Sequence, residues 1–200
     1  MSLHLTSHLR PALTCTAVFT LLTGVLYPGA VTAVAQLLWP AQANGSLISH
    51  DGRVVGSALI GQPFTSAAYF HGRPSAAGAG YDASASSGSN KGPTDSTLRA
   101  LVAARVDSAV AEGATRGAVP ADLVTASASG LDPDISPANA QLQARRVAAS
   151  RHVPLERVLA LVNQEITPRQ FGILGEPRVN VLQLNRVMDS TLGAVRGARP

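Results

Sequence analysis

Two hundred residues that are 46% apolar, 14% charged and 4% aromatic supply one compact domain beside the long apolar run described below, and too few for two comfortable ones. The net charge is +4, but the 16 basic residues are scattered and few aromatics are present to stack on bases, a combination that argues against nucleic-acid binding. Cys15 is the single cysteine, which leaves no disulfide framework and no cysteine metal site.

Segment 11–50 carries no Asp, Glu, Lys or Arg, and its apolar heart is 13–38. At about 1.5 Å per helical residue such a run crosses a hydrocarbon layer roughly 30 Å thick with some tilt. Two alternatives remain beside a retained anchor. A cleaved signal would use the small-x-small triplet Ala41-Gln42-Ala43, although the apolar run exceeds the usual signal core. A buried core helix seldom needs so long a run. Arg10, with His4 and His8 behind it, flanks the start, whereas the first basic residue beyond the run is Arg53. Positive flanks stay cytoplasmic, so the expected arrangement is a short cytoplasmic N-terminus (1–11), a transmembrane helix (12–38) and an extracytoplasmic domain (39–200). Trp39 suits the outer headgroup level. Thr16, Thr20 and Gly24 repeat at four-residue spacing, and Gly29 and Ala33 continue the small-residue theme, which is either a face for a partner helix or ordinary membrane composition. Pro28 and Gly29 predict a kink or loosening, with the freed carbonyl met by a neighbouring helix.

Beyond the run, Asn44-Gly45-Ser46 is a turn signal that also forms an N-x-S sequon. Val54-Val55, Leu59-Ile60 and Tyr69-Phe70 read as short strands between glycines. Segment 74–93 is a Ser/Ala/Gly-rich loop. Its end, Gly88-Ser89-Asn90-Lys91-Gly92-Pro93-Thr94, lacks the Gly-Lys-Ser/Thr ending of a phosphate loop and reads as a structured turn. Thr94 or Asp95 caps a helix in which Leu98, Leu101, Val102, Val106, Ala109 and Val110 keep the spacing of one buried face. A short helical turn over 120–124 leads into the densest polar cluster, 125–137.

Three chemistries compete for that cluster. A nucleophilic Ser127 or Ser129 lacks the first glycine of an elbow and any nearby histidine. A calcium site on Asp132 and Asp134 lacks the rest of its loop pattern. The structural or partner-contact reading requires only that Ser136 cap a helix opened by Pro137 while Asp and Ser satisfy local amides, and it is preferred. The helix 137–151 ends with Arg145, Arg146 and Arg151, which offset its dipole and need no ligand. A further helix begins at Pro154, Gly172-Ile173-Leu174-Gly175 turns, 179–181 is a strand and 182–192 a closing helix. His50, His71 and His152 show no ligand spacing and read as surface or hydrogen-bonded residues. The fold class is α+β: one N-terminal transmembrane helix and a single mixed α+β extracytoplasmic domain.

Tyr27-Pro28, Asn44-Gly45-Ser46-Leu47-Ile48, the run Val55-Gly56-Ser57-Ala58-Leu59-Ile60-Gly61-Gln62, Tyr69-Phe70, Arg73-Pro74-Ser75-Ala76 and Gly88-Ser89-Asn90 resemble the C subunit of the Kdp potassium-transporting ATPase. Asp122-Leu123-Val124-Thr125-Ala126-Ser127, Gly130-Leu131-Asp132-Pro133, Ile135-Ser136-Pro137, Arg146-Val147-Ala148, the run 175–182 and Leu184-Asn185 extend the resemblance in order over nearly the whole chain. Ser87, Lys91 and Ala128 depart from the pattern, which usually has Gly, Leu and Gly there. The resemblance implies a single-span accessory subunit of the cell (inner) membrane without a catalytic site of its own, beside a channel-like potassium-binding subunit and a P-type ATPase catalytic subunit. It implies a role in assembly and in raising ATP affinity, with ATP and potassium belonging to the complex and no directly bound cofactor. The residues expected to contact partners or hold motif structure are Thr16, Thr20, Gly24, Gly29, Ser89, Asn90, Thr125, Ser127, Asp132, Asp134, Arg178 and Asn180. A membrane-anchored periplasmic hydrolase and a free-standing binding protein are the rival classes.

Overall fold

The computed structural model describes residues 5–50 and 52–195, and the chain divides into two compact units, Met1–Leu47 and Ile48–Pro200. The first unit is nearly all helix. Helix α1 (Leu5–Leu21) leads into a π-helical turn (Leu22–Leu26) and then α2 (Tyr27–Leu38). Helical backbone thus begins before Pro11 rather than after it. The stretch His8–Leu38 spans 31 residues, is apolar enough to cross a membrane, and has none of its residues buried within the chain. At 1.5 Å per residue it is about 46 Å long. Local chemistry accounts for the π turn: Pro28 has no N–H, and the Tyr27 N–H reaches back five residues to the Leu22 carbonyl. The loosening expected at Pro28-Gly29 therefore appears one turn earlier, as a widened turn inside a continuous helix.

Trp39 leaves helical geometry (φ −139, ψ 59) and starts the short helix α3 (Pro40–Ala43), which contains the triplet 41–43. The side-chain amides of Gln36 and Asn44 exchange hydrogen bonds of 3.3 and 3.1 Å, and Asn44 Nδ2 also donates to the Pro40 carbonyl at 2.7 Å. Those bonds lock the turn that the sequence marks at 44–46.

The second unit mixes helix and sheet. Strands β1 (Leu47–His50) and β2 (Arg53–Ser57) pair into a two-stranded sheet around Gly52, whose φ of 76 suits a residue without Cβ. Helix α4 (Ser96–Ala111) follows after a long irregular stretch, then α5 (Ala121–Val124), β3 (Asp134–Ile135), α6 (Pro137–Arg151), α7 (Leu155–Gln164), β4 (Ile166–Thr167), β5 (Arg178–Asn180) and α8 (Val181–Leu192). The later strands form an antiparallel sheet ordered β3-β5-β4, with Ile135 and Ile166 both opposite Val179. Caps are supplied as the sequence suggests: the Asp95 carboxylate accepts from the Thr97 and Leu98 amides, and the Ser136 hydroxyl accepts from the Asn139 amide.

The core lies where α6, α7, α8 and β5 meet. Val147, Val158, Val162, Val179, Leu184 and Met188 are fully buried there, together with Phe70. Each such side chain contributes about 1.5–3 kcal/mol relative to an exposed one.

Several sequence expectations need correction. Tyr69 and Phe70 are buried but not in a strand, and Leu59 and Ile60 sit exposed in a turn. In α4 only Ala109 is fully buried; Leu98, Val102 and Val106 on the same face are half-buried, while Leu101 and Val110 stand exposed. The two-residue strands β3 and β4 are too short to announce themselves in sequence. Arg146 and Arg151 do much more than offset a dipole, as described next.

Candidate functional site

The four small residues of the span, Thr16, Thr20, Gly24 and Gly29, are all exposed, and a Cβ added at Gly29 would meet no atom within 4 Å. Thr20 Cγ2 lies 4.0 Å from such a Cβ at Gly24, so both glycines leave open helix surface. Nothing within the chain occupies that surface among the described residues.

In the second unit, residues 64–77 form an irregular strap through the core. A buried backbone outside sheet or helix needs outside partners, and polar side chains of α6 and α8 provide them. Asn185 accepts from the Phe70 N–H at 2.8 Å and donates to the Phe70 carbonyl at 2.9 Å. Gln143 treats His71 in the same way, at 2.8 and 3.0 Å. Arg146 donates to the Ala67 and Tyr69 carbonyls, and Arg151 to the Ala68 carbonyl at 2.7 Å. The Arg151 guanidinium also lies 5.0 Å from the Tyr69 ring centre and pairs with Asp189 at 2.8 Å. Burial, then the hydrogen bond to Asp189, pushes the Tyr69 phenol above its usual range.

No motif in the sequence announces this clamp, yet a signal for it exists. Asn185 falls on the face of Leu182, Leu184 and Met188, and Gln143 on that of Ala140, Ala144 and Val147. An amide at a position whose spacing demands an apolar residue marks a buried hydrogen-bond task.

The polar cluster folds against the strap and the Ser-rich loop. Ser75 Oγ donates to the Gly130 carbonyl at 2.6 Å, and the Ser87 N–H donates to the Ser129 carbonyl at 3.0 Å. Gly130, at φ 68, is obligatory: a Cβ there would lie 2.6 Å from the Ala77 nitrogen and 2.7 Å from the Ser87 oxygen. Gly88 packs as closely on the Ala128 carbonyl. The backbone therefore brings the motifs 88–90 and 125–132 together. Ser89 and Asn90 themselves stand exposed, with Asn90 at φ 53.

The remaining candidates, Ser127 excepted, have partners within the domain. Asp132 pairs with Arg73 at 3.0 Å and accepts from the Asp134 N–H, while Asp134 pairs with Arg178 at 2.9 Å. Asn180 donates to the Ala58 carbonyl, touches Asp134 at 3.3 Å and caps α8. The Thr125 hydroxyl donates to the Ala121 carbonyl. Ser127 is only 6% exposed and its hydroxyl has no hydrogen-bond partner among the described residues, so it does not pair with Asp132. Asp122, not singled out from sequence, is the hub that accepts from the Ser136 N–H and hydroxyl and from Asn139 Nδ2. Among the described residues no three His, Cys, Asp or Glu side chains gather as a metal site. Burial raises the Asp134 carboxyl above the usual range, with Arg178 pulling the other way. A cavity of about 510 Å³ lies elsewhere, floored by Phe64, Tyr69 and Leu182 with Glu165 and Arg186 on its lining.

The charged candidates are thus paired within the domain, and the membrane-length helix leaves its surface bare among the described residues. Comparison with known proteins adds the family. Residues 9–190 match the family described as KdpC: K+-transporting ATPase, c chain. The chain belongs to the KdpC family. It is 67% identical over 196 residues to the potassium-transporting ATPase KdpC subunit of Gemmatimonas aurantiaca, covering 96% of this chain and 98% of that protein. The corresponding subunit of Caulobacter vibrioides is 60% identical over 186 residues, covering 92% and 93%. That of Myxococcus xanthus is 57% identical over 191 residues, covering 94% and 90%. KdpC is a subunit of a potassium-transporting ATPase, so membership implies a potassium uptake complex and partner subunits.

Proposed function

We propose that this chain is an accessory, non-catalytic subunit that holds a potassium-uptake ATPase together, with residues 1–11 in the cytoplasm, 12–38 across the cell (inner) membrane and 39–200 outside. The observation that carries this reading is the 31-residue apolar helix with no residue buried in its own chain, which needs lipid or another helix as its solvent. Thr16, Thr20, Gly24 and Gly29 offer the close-approach surface to a neighbouring span. Its partners are a channel-like potassium-binding subunit and a P-type ATPase catalytic subunit, and the exported domain lies by the potassium entrance. A domain outside the cell does not reach cytoplasmic ATP, so any rise in ATP affinity is a coupling carried through membrane helices.

The test is to replace Gly24 and Gly29 with Leu and purify the complex in detergent. Loss of the other subunits from the purified chain is the expected result; unchanged assembly counts against this helix face. Protease added to intact spheroplasts is expected to remove the C-terminal bulk and spare the span, and protection of that bulk would reverse the topology. The hydrolase alternative draws no support from Ser127, which is buried and makes no hydrogen bond to Asp132.

A further inference from the structure

Between β4 and β5 the chain makes a loop whose tip is Phe171-Gly172-Ile173-Leu174. The tip is ordered by its own backbone: the Gln170 and Leu174 amides each donate to the other's carbonyl at 2.9 Å. Gly172 and Gly175 take φ of 78 and 74, as turns of this shape require, but Phe171 also takes φ 53. A bulky aromatic residue rarely adopts that conformation, and a loop needing only to reverse direction would be served better by glycine there. The side chains held up by this arrangement are apolar and bare. Phe171 is 89% exposed, Ile173 75% and Leu174 55%, and none of the three belongs to the core.

The nearby charges narrow what could cover them. Arg169 pairs with Glu176 at 2.5 Å across the base of the loop, and Arg178 pairs with Asp134. The cations closest in sequence to the tip are therefore already neutralised within the domain. A surface built to lie on a bilayer offers free Lys or Arg to lipid phosphate around its apolar residues. A neutral, preorganised knob of one aromatic and two aliphatic side chains instead suits an apolar socket in a protein, where large rigid anchors dominate affinity.

We propose that Phe171, Ile173 and Leu174 form a docking knob that inserts into an apolar socket on another subunit of the potassium-transporting ATPase. This rests on the assembly role proposed above and not on which side of the membrane the domain occupies. Phe171→Gly separates docking from folding, because glycine accepts φ 53 without strain while the knob disappears. The experiment compares wild type, Phe171→Gly and the double variant Ile173→Ser/Leu174→Ser, each as a tagged full-length chain expressed with the whole complex and recovered in detergent. Recovery of the other subunits is expected to fall about tenfold or more in both variants, while the thermal midpoint of the purified Phe171→Gly chain does not drop. Wild-type recovery in both variants overturns the knob. If wild type itself brings down no other subunit, the assembly role fails, a separate result. Two further outcomes also overturn the proposal by naming another occupant. One is quenching of a Phe171→Trp side chain, in a Trp39→Phe background, by brominated lipid in the reconstituted complex. The other is a change in self-association of the chain that follows the variants.

Discussion

The strap 64–77 and helix α4 solve opposite problems. The strap has no regular backbone, yet Phe64, Ala68, Tyr69, Phe70 and Ala77 are buried in it. Helix α4 is sixteen residues of regular, well-capped backbone with Ala109 alone buried and Leu101 41% exposed. A helix satisfies its own amides and carbonyls, so it tolerates water on nearly all sides. An irregular segment in the core must have its polar backbone met from elsewhere, which concentrates Asn185, Gln143, Arg146 and Arg151 around it. Regularity and burial are thus separate properties, and the strap is the costlier of the two to disturb.

The sharpest way to break this contrast is Asn185→Ala, which strips both hydrogen bonds from the buried Phe70 backbone. At about 1–3 kcal/mol for each orphaned group, the domain should lose roughly 2–6 kcal/mol. The urea midpoint of the detergent-solubilised chain, followed by the near-ultraviolet dichroism of its tyrosines, measures this loss. A smaller effect concerns His71, whose ring nitrogen Nε2 sits 3.0 Å from the Ser66 carbonyl. Burial first, then the Arg146 guanidinium, holds its imidazole below the usual 6.5, with the Ser66 carbonyl and Glu112 opposing. A histidine with a lowered folded pKa contributes stability that is fully present above pH 6.5 and lost as pH falls through the folded value. Stability should accordingly decline below pH 6.5, and His71→Gln should flatten that part of the profile. The smallest effect is expected in α4: Leu101→Ser should move the isolated chain's midpoint by no more than about 0.5 kcal/mol, as for surface substitutions generally. A loss of several times that amount would mean that α4 is packed after all.

The same contrast explains what could be read from sequence. The long apolar helix, the caps at Asp95 and Ser136 and the helices α6 to α8 were legible because composition, capping chemistry and periodicity act over short distances. Tyr69-Phe70 looked like a strand because alternation and burial leave similar marks, whereas their backbone partners lie 115 residues away at Asn185. Leu101 and Val110 kept helical spacing without a neighbour to bury them, since periodicity reports what a face could do rather than what covers it. Of the candidate site, Asp132, Asp134, Arg178 and Asn180 proved to be joined in local pairs. Their place in the 125–137 cluster and the late strand hinted at this, but Asp122, quoted only as the first residue of a longer motif, carried no sign that it would be the hub. Ser89 and Asn90 are exposed on a loop whose path is set by the close approach of Gly88 to Ala128.

The widened turn at Leu22–Leu26 works as a dislocation in an otherwise regular screw. One extra residue in the turn displaces everything after it by about 100° of azimuth relative to an unbroken α-helix. The five-residue step from Gly24 to Gly29 would break the four-residue ruler of Thr16, Thr20 and Gly24 in an unbroken α-helix, but the extra residue taken up by the turn cancels it, so Gly29 and Ala33 continue the same small-residue track. A single rod in a bilayer in this way keeps one seam of small residues along both of its halves, held in line by the very turn that interrupts its screw.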